Sequence, residues 1–441
     1  MQRFILASVI LIYLVLASLY ATFTPKWQAP DEPAHFNYIR AIAETGALPV
    51  LQPGDYDQAY LEKIKAAKFP AALSIDAIRY EAYQPPLYYL AATPVYIGAR
   101  AFGLDTTVIA LRLFSVVLGA LVLVVAFRCV HEIFPNDKAL ALATVGLMAT
   151  IPQHLAVSAS ISNDLAAELI LVTILWLAIR RAKNTLSNRR FVVYGGLLFG
   201  AGLLTKTTTY VPGATLLVAA EIARIHLTKL RVTFYVLRNT FHVFILSTLV
   251  AAPMFIRNSV IYGVTDPLGL ARHDAVVLGQ PTTAGMIAEW GTRRIGFDFL
   301  VISFKSFWAQ FGWMGVLIND RLYVLLFALT GVALLGLGLA TRRVLRHRAA
   351  WALIPAWGVG LLALLLATTI AAYIGYNFKF FQPQGRYLFP GLIAIAFFLV
   401  SGLREAINFQ HERVFWTLLY LALITLDVAA LFLFILPQLR T

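Results

Sequence analysis

The sequence predicts an all-α, polytopic membrane protein with about eleven transmembrane helices, and three observations carry that reading. Of the 441 residues, 60% are hydrophobic and only 13% charged, against roughly 45–50% and 25% in soluble domains. The apolar runs follow one another from Phe4 to Leu439 with two long interruptions, which makes residues 1–441 a single integral membrane domain. The formal charge of +14 lies in short connectors between the runs rather than in a basic module, as the positive-inside bias of membrane proteins dictates. Lipid is therefore an expected partner and nucleic acid is not.

The chain opens with an uncharged run over 4–23, longer than the roughly 7–15-residue apolar core of a signal peptide, so it is read as a retained first helix. Further spans are predicted at 106–127, 139–161, 164–180, 190–205, 207–224, 239–257, 321–341, 350–376, 387–403 and 414–437, lengths that suit about 30 Å of hydrocarbon. Segment 87–103 is interrupted by Pro94 and Arg100. Leaving it out puts one set of basic connectors on one side: Arg128 and Lys138; Arg180, Arg181, Lys183, Arg189 and Arg190; Arg224, Lys229, Arg231 and Arg238; Arg342, Arg343, Arg346 and Arg348; and Arg404 and Arg413. That side is the cytoplasm, which also holds the N-terminus. Segment 87–103 is then a helix in the outer interface, started by Pro85 and Pro86. The outer face receives the long loops 24–105 and 258–320, the second with an interfacial aromatic stretch at 295–313. No soluble module is expected after the last span.

Polar chemistry gathers at the outer helix ends. In Pro30-Asp31-Glu32-Pro33-Ala34-His35-Phe36 two carboxylates precede a proline-started helix, and i,i+4 spacing brings Asp31 toward His35. Asp31 or Glu32 either caps that helix or accepts a proton from an attacking hydroxyl at the membrane edge. Asp31, Glu32 and His35 lack a strong metal-ligand spacing, so no metal site is assigned. Lys206 sits in a turn between apolar runs of about 15 residues, which reach about 22 Å and recess its ammonium below the surface, where it snorkels or meets a lipid phosphate. Arg386, in Gln384-Gly385-Arg386-Tyr387-Leu388-Phe389-Pro390, is an interfacial anchor or a phosphate ligand. Asn163-Asp164 and Arg257-Asn258 lie at other outer helix ends and are further substrate-site candidates, as is Tyr387.

These residues resemble the GT-C superfamily of polyprenyl-phosphate-dependent membrane glycosyltransferases, which includes protein O-mannosyltransferases and lipid A aminoarabinose transferases. The two motifs just quoted carry the likeness, with Gln84-Pro85-Pro86-Leu87-Tyr88-Tyr89, Ser162-Asn163-Asp164, Leu204-Thr205-Lys206-Thr207 and Ile256-Arg257-Asn258 in support. The resemblance implies a GT-C-like bundle with interfacial helices in the first outer loop and a catalytic acid at Asp31, with Glu32 beside it. It also implies a sugar on a polyprenyl phosphate as donor, an envelope glycan, lipid or protein as acceptor, and inversion at the anomeric carbon in the outer face of a bacterial cytoplasmic membrane. Lys206, Arg386 and the Gln84 position are the implied phosphate contacts. Relatives such as the aminoarabinose transferases carry Lys where this chain has Gln84, which shifts the load onto Lys206 and Arg386. Divalent-metal dependence varies across the superfamily and is left open. A transporter of lipid-linked sugars is the alternative, disfavoured because the polar groups cluster at one face and no related halves are visible.

Overall fold

A computed structural model describes residues 2–228, 232–346, 355–407 and 412–440. Hydrocarbon offers the backbone no hydrogen bonds, so apolar runs of this length fold as helices, and the described chain is almost entirely helical. Helix α1 (Gln2–Phe23) is followed by α2 (Glu32–Thr45), α3 (Gln58–Ala66), a 3-10 turn at Tyr80–Tyr83 and α4 (Leu87–Ala99). Next come α5 (Leu104–Ile133), α6 (Lys138–Ala149), α7 (Pro152–Ser158), α8 (Asp164–Ala182), α9 (Asn188–Leu203), α10 (Tyr210–Thr228) and α11 (Val232–Tyr262). The second long connection carries α12 (Leu270–Val276), α13 (Thr283–Trp290), α14 (Thr292–Trp308) and a two-residue antiparallel ladder pairing Gln310 with Leu317 and Phe311 with Val316. The chain continues through α15 (Asp320–Arg346), α16 (Ala356–Lys379), a 3-10 turn at Gly385–Gly391, α17 (Leu392–Ala406) and α18 (Glu412–Ala429), then a π-helical turn at Ala430–Ile435.

The protein is a multi-pass membrane protein. Among the described residues seven helices are long and apolar enough to cross a bilayer, or eight if the bent pair α6–α7 is one span. That is fewer than the eleven expected. Helices stand at all three sites predicted between 164 and 224, but α9 has only 16 residues, and α8 carries Asp164, Glu168, Arg180 and Arg181. The straight span expected over 139–161 is broken by 68°, because Pro152 in the first turn of α7 has no N–H with which to continue α6. Arg257 and Asn258 lie in the last turns of α11 rather than beyond its end. The first residues of the span predicted at 350–376, and Lys229, Arg231 and Arg348, lie outside the described residues. Helix α4, with 13 residues, is too short to cross, as its reading as a non-spanning element requires.

Not every basic residue counted for topology is a free loop cation. Arg181 is buried and donates to Glu221 (2.6 Å), the Leu186 carbonyl (2.7 Å) and Asn188 (2.5 Å), while Arg224 donates to the other oxygen of Glu221 (3.0 Å). Small residues set one close helix contact. A Cβ on Gly336 of α15 would come within 2.0 Å of the Gly402 carbonyl oxygen of α17, and one on Gly402 within 1.9 Å of that of Ala333. Only glycine admits that approach.

One buried ion pair fixes the entrance to the first long connection. Glu32 is fully buried and takes a fork of hydrogen bonds from Arg112 of α5 (Nε 2.7 Å, Nη2 2.7 Å). Its oxygens also accept from the backbone N–H of Trp27 (2.9 Å) and Ile161 (3.3 Å). Arg112 spends its remaining donors on the carbonyls of Ala21, Thr24 and Pro25, where α1 runs out of partners of its own. Breaking a buried pair from one side costs about 3–5 kcal/mol. Arg112→Met should therefore lower the thermal-unfolding midpoint of the detergent-solubilised protein clearly, and the double variant Glu32→Gln/Arg112→Met should recover part of that loss.

Candidate active site

With its neighbour clamped, Asp31 is held in a left-handed conformation (φ 66°) at the start of α2, which Asp tolerates better than most residues. Its carboxylate does not cap the helix, although it occupies the N-cap position. One oxygen accepts from the Tyr80 hydroxyl (2.8 Å) and the other from Arg386 Nη2 (2.5 Å). Burial by itself raises the Asp31 carboxyl, but the Arg386 guanidinium, the neighbouring His35 and the two hydrogen bonds more than offset this and hold it below the usual carboxylate range.

Arg386 is aimed by its surroundings. Its Nε donates to Gln384 Oε1 (2.7 Å), and the preceding Gly385 lies directly against α14, where its N–H donates to Ser306 Oγ (2.7 Å). A Cβ on Gly385 would sit 2.2 Å from the Phe307 nitrogen and 2.6 Å from the Ser303 carbonyl oxygen, both backbone atoms that cannot swing aside. Lys206 forms an ion pair with Asp164 at the start of α8, and Ser162 Oγ donates to the other Asp164 oxygen (2.8 Å). The Lys206 turn is tied to the paired prolines by the bond from Leu87 N to the Leu204 carbonyl (2.8 Å).

Asp31, His35, Gln84, Asp164, Lys206, Arg386 and Tyr387 all line one cavity of about 490 Å³, within the range of small-molecule sites. His35 faces it but pairs with Tyr89 (2.8 Å) rather than with Asp31; burial pushes the imidazole down to about 4 against the pull of Asp31. The other candidates are elsewhere. Glu32 does not line the cavity, and its expected chemical role is replaced by the structural pair with Arg112. Asn163 sits behind the wall, donating to the Thr205 carbonyl (3.1 Å) and Gln84 Oε1 (3.4 Å). Arg257 donates to the carbonyls of Leu48 (2.9 Å) and Pro49 (2.7 Å), and Asn258 to that of Pro267 (3.1 Å), so both fasten the two long connections instead of facing the cavity.

Sequence reading missed several wall residues. Tyr80, Glu81 and Tyr83 come from the 3-10 turn before the paired prolines, and His273 and Asp274 from α12. Tyr376 and Lys379 come from the end of α16, against which the second connection is pinned by Phe381 N to the Pro281 carbonyl (3.0 Å). Among the described residues no three His, Cys, Asp or Glu side chains are grouped to hold a metal ion.

The profile of the dolichyl-phosphate-mannose-protein mannosyltransferase family matches residues 86–252, less than half of the chain. The match includes Asp164 and Lys206 but neither Asp31 nor Arg386. A comparison with curated protein sequences finds no match. Among solved structures, ArnT from Cupriavidus metallidurans bound to undecaprenyl phosphate aligns with a TM-score of 0.51 at 13% identity, over 98% of this chain and 73% of that one. The fold is that of the GT-C membrane glycosyltransferases. The oligosaccharyltransferase AglB from Archaeoglobus fulgidus, in complex with an inhibitory peptide and a dolichol-phosphate, aligns with a TM-score of 0.50 at 13% identity, over 98% of this chain and 55% of that one. The chain thus spans about half the length of the oligosaccharyltransferase it matches.

Gly385→Ala tests whether the cavity depends on this backbone contact. Overpacking of this kind costs about 1–3 kcal/mol. The variant should lower the thermal midpoint and displace Arg386, whereas Gly375→Ala, where a Cβ meets nothing within 4 Å, should leave both unchanged.

Proposed function

We propose that the protein is a membrane glycosyltransferase that moves a sugar from a polyprenyl-phosphate donor to an acceptor hydroxyl. The carrying observation is the Asp31–Arg386 pair beside Lys206 in a single cavity: a carboxylate and two cations able to pair with a phosphate meet on elements far apart in sequence. The undecaprenyl phosphate and dolichol-phosphate named in the ArnT and AglB structures support a lipid phosphate as the donor group. The acceptor is an envelope glycan, lipid or protein.

In this reading the acceptor oxygen attacks the anomeric carbon and inverts it. The bond from that carbon to the phosphate oxygen breaks, the electron pair stays on the phosphate, and the acceptor proton passes to the Asp31 carboxylate. Lys206 and Arg386 offset the charge that grows on the departing phosphate. Without substrate, both cations are occupied by Asp164 and Asp31. An entering phosphate competes for Arg386, and weakening of that pair makes the Asp31 carboxylate a stronger base when the donor is in place. Gln84 and Tyr387 line the donor side, and His35, neutral near pH 7, serves as a hydrogen-bonding wall residue. The one-sided distribution of basic connectors supports a cytoplasmic N-terminus and a reaction at the outer face of a bacterial cytoplasmic membrane.

The test is release of free polyprenyl phosphate from a panel of polyprenyl-phosphate sugars by the purified protein, with native membrane extract as acceptor source. Wild type should release it. A folded Asp31→Asn variant should be slower by about 10²–10⁴-fold, the usual contribution of a general base, and Lys206→Met and Arg386→Gln should lose donor binding as well as rate. Equal release by wild type and Asp31→Asn removes Asp31 from the chemistry; no release from any donor by wild type turns the reading toward transport.

A further inference from the structure

The fixed charges of the cavity pair off, with one exception. Asp31 is matched by Arg386, Asp164 by Lys206, and Asp274 by Lys379. The two histidines supply no compensating charge near pH 7, because burial lowers both His35 and His273. That leaves Glu81. It lines the cavity from the 3-10 turn Tyr80–Tyr83, one residue from the hydroxyl that holds Asp31. Among the described residues no basic side chain forms an ion pair with it, and its Oε2 is buried without a hydrogen-bond partner. The side chains of Tyr83, from the same turn, and of Tyr376 and Tyr387, from other walls, bring no positive charge.

A phosphate that enters between Lys206 and Arg386 adds negative charge and brings no cation. Three cations then face four carboxylates and the phosphate. In such a site the excess is relieved by a proton, and the group that accepts it most readily is the carboxylate with no ion-pair partner to lose. We propose that Glu81 is the proton-uptake site of this cavity, binding one proton from solvent as the lipid phosphate enters, so that phosphate binding and protonation are linked. The proposal rests on the reading of the cavity as a lipid-phosphate site.

Glu81 is already placed for this. Burial first and the Asp31 carboxylate second push it up to about 7, against Lys206, Gln84 and Arg386, which pull it down. The added charge of a phosphate moves it further up. The sign follows: the neutral acid is the form compatible with bound phosphate, so affinity is full below the Glu81 value and falls as pH rises through it, by at most tenfold per pH unit for one linked proton. Protonated, the carboxyl also becomes a hydrogen-bond donor beside the departing phosphate, which the carboxylate is not.

The experiment is calorimetric titration of the full-length, detergent-solubilised protein with undecaprenyl phosphate, at about pH 8, in two buffers of different ionisation enthalpy. At that pH a phosphate monoester, with a second pKa of about 6, is already fully ionised. Wild type should take up close to one proton per phosphate bound and bind more weakly as pH rises from about 7 to 9. Glu81→Gln should bind without proton uptake and with a flat pH profile. Uptake that persists in Glu81→Gln, or binding by wild type with no uptake, overturns the assignment. Should the variant fail to fold, infrared difference spectra of wild type decide: addition of undecaprenyl phosphate must produce a new protonated-carboxyl band, and its absence overturns the assignment equally. Wild type that does not bind undecaprenyl phosphate at all sinks the lipid-phosphate reading itself, a result distinct from binding without protonation.

Discussion

Everything that faces the cavity from the first long connection hangs on the buried pair between Glu32 and Arg112. A carboxylate and a guanidinium removed from water repay the cost of desolvation only when their remaining hydrogen-bonding capacity is filled. Here it is: Glu32 also takes two backbone N–H groups, and Arg112 also satisfies three carbonyls at the end of α1. The pair therefore joins the end of one membrane helix, the start of α2, the interior of α5 and the approach to α8. Asp31 is the next residue along, and its uncommon backbone conformation persists because the groups on either side cannot relax.

The cavity built on that anchor is charged on every wall yet nearly neutral in sum. Asp31, Asp164 and Asp274 each stand against a cation from a different element. Such pre-pairing keeps Lys206 and Arg386 oriented in a low-dielectric region where a lone ammonium or guanidinium would be costly. It also means that, under the proposed function, a lipid phosphate exchanges partners with Asp31 and Asp164 rather than filling an empty site. In the proposed reaction, binding and activation become one event: the cation that turns toward phosphate releases the carboxylate assigned there as base. Glu81 stands outside this pairing, and this sets it apart from the other acids in the cavity.

The sequence made Asp31, Lys206, Arg386 and Asp164 visible because each lies in a local pattern: adjacent carboxylates before a proline-started helix, a lysine between short apolar runs, and an arginine and an aspartate at outer helix ends; Gln84 was visible only through the family resemblance. The same logic misled for Glu32. A carboxylate beside Asp31 looks equivalent along the chain, and only the course of α5 decides that it faces Arg112. That arginine carried a signal of its own, as an ionisable residue in the middle of an apolar run. Glu81, His273 and Asp274 carried none, because nothing local to Tyr80-Glu81-Ala82-Tyr83 or Arg272-His273-Asp274 says which wall they join. The bend at Pro152 was legible in the proline itself, yet the absence of Asp, Glu, Lys and Arg across 139–161 argued for a straight span.

By itself the sequence determined the solvent of this protein, its helical class, the approximate places of its long helices and the motifs that hold several of the charged groups lining its cavity. These follow from composition, from runs of apolar residues and from spacing, all properties read within a few turns of chain. Tertiary structure alone decided which polar groups meet: that Arg386 reaches Asp31 across 355 positions, that Glu32 turns inward, and that one carboxylate in the cavity is left without a cation. The reason is physical. Hydrophobicity acts on each segment wherever it lies, whereas a hydrogen bond or an ion pair exists only once packing has brought two distant atoms within about 3 Å of each other.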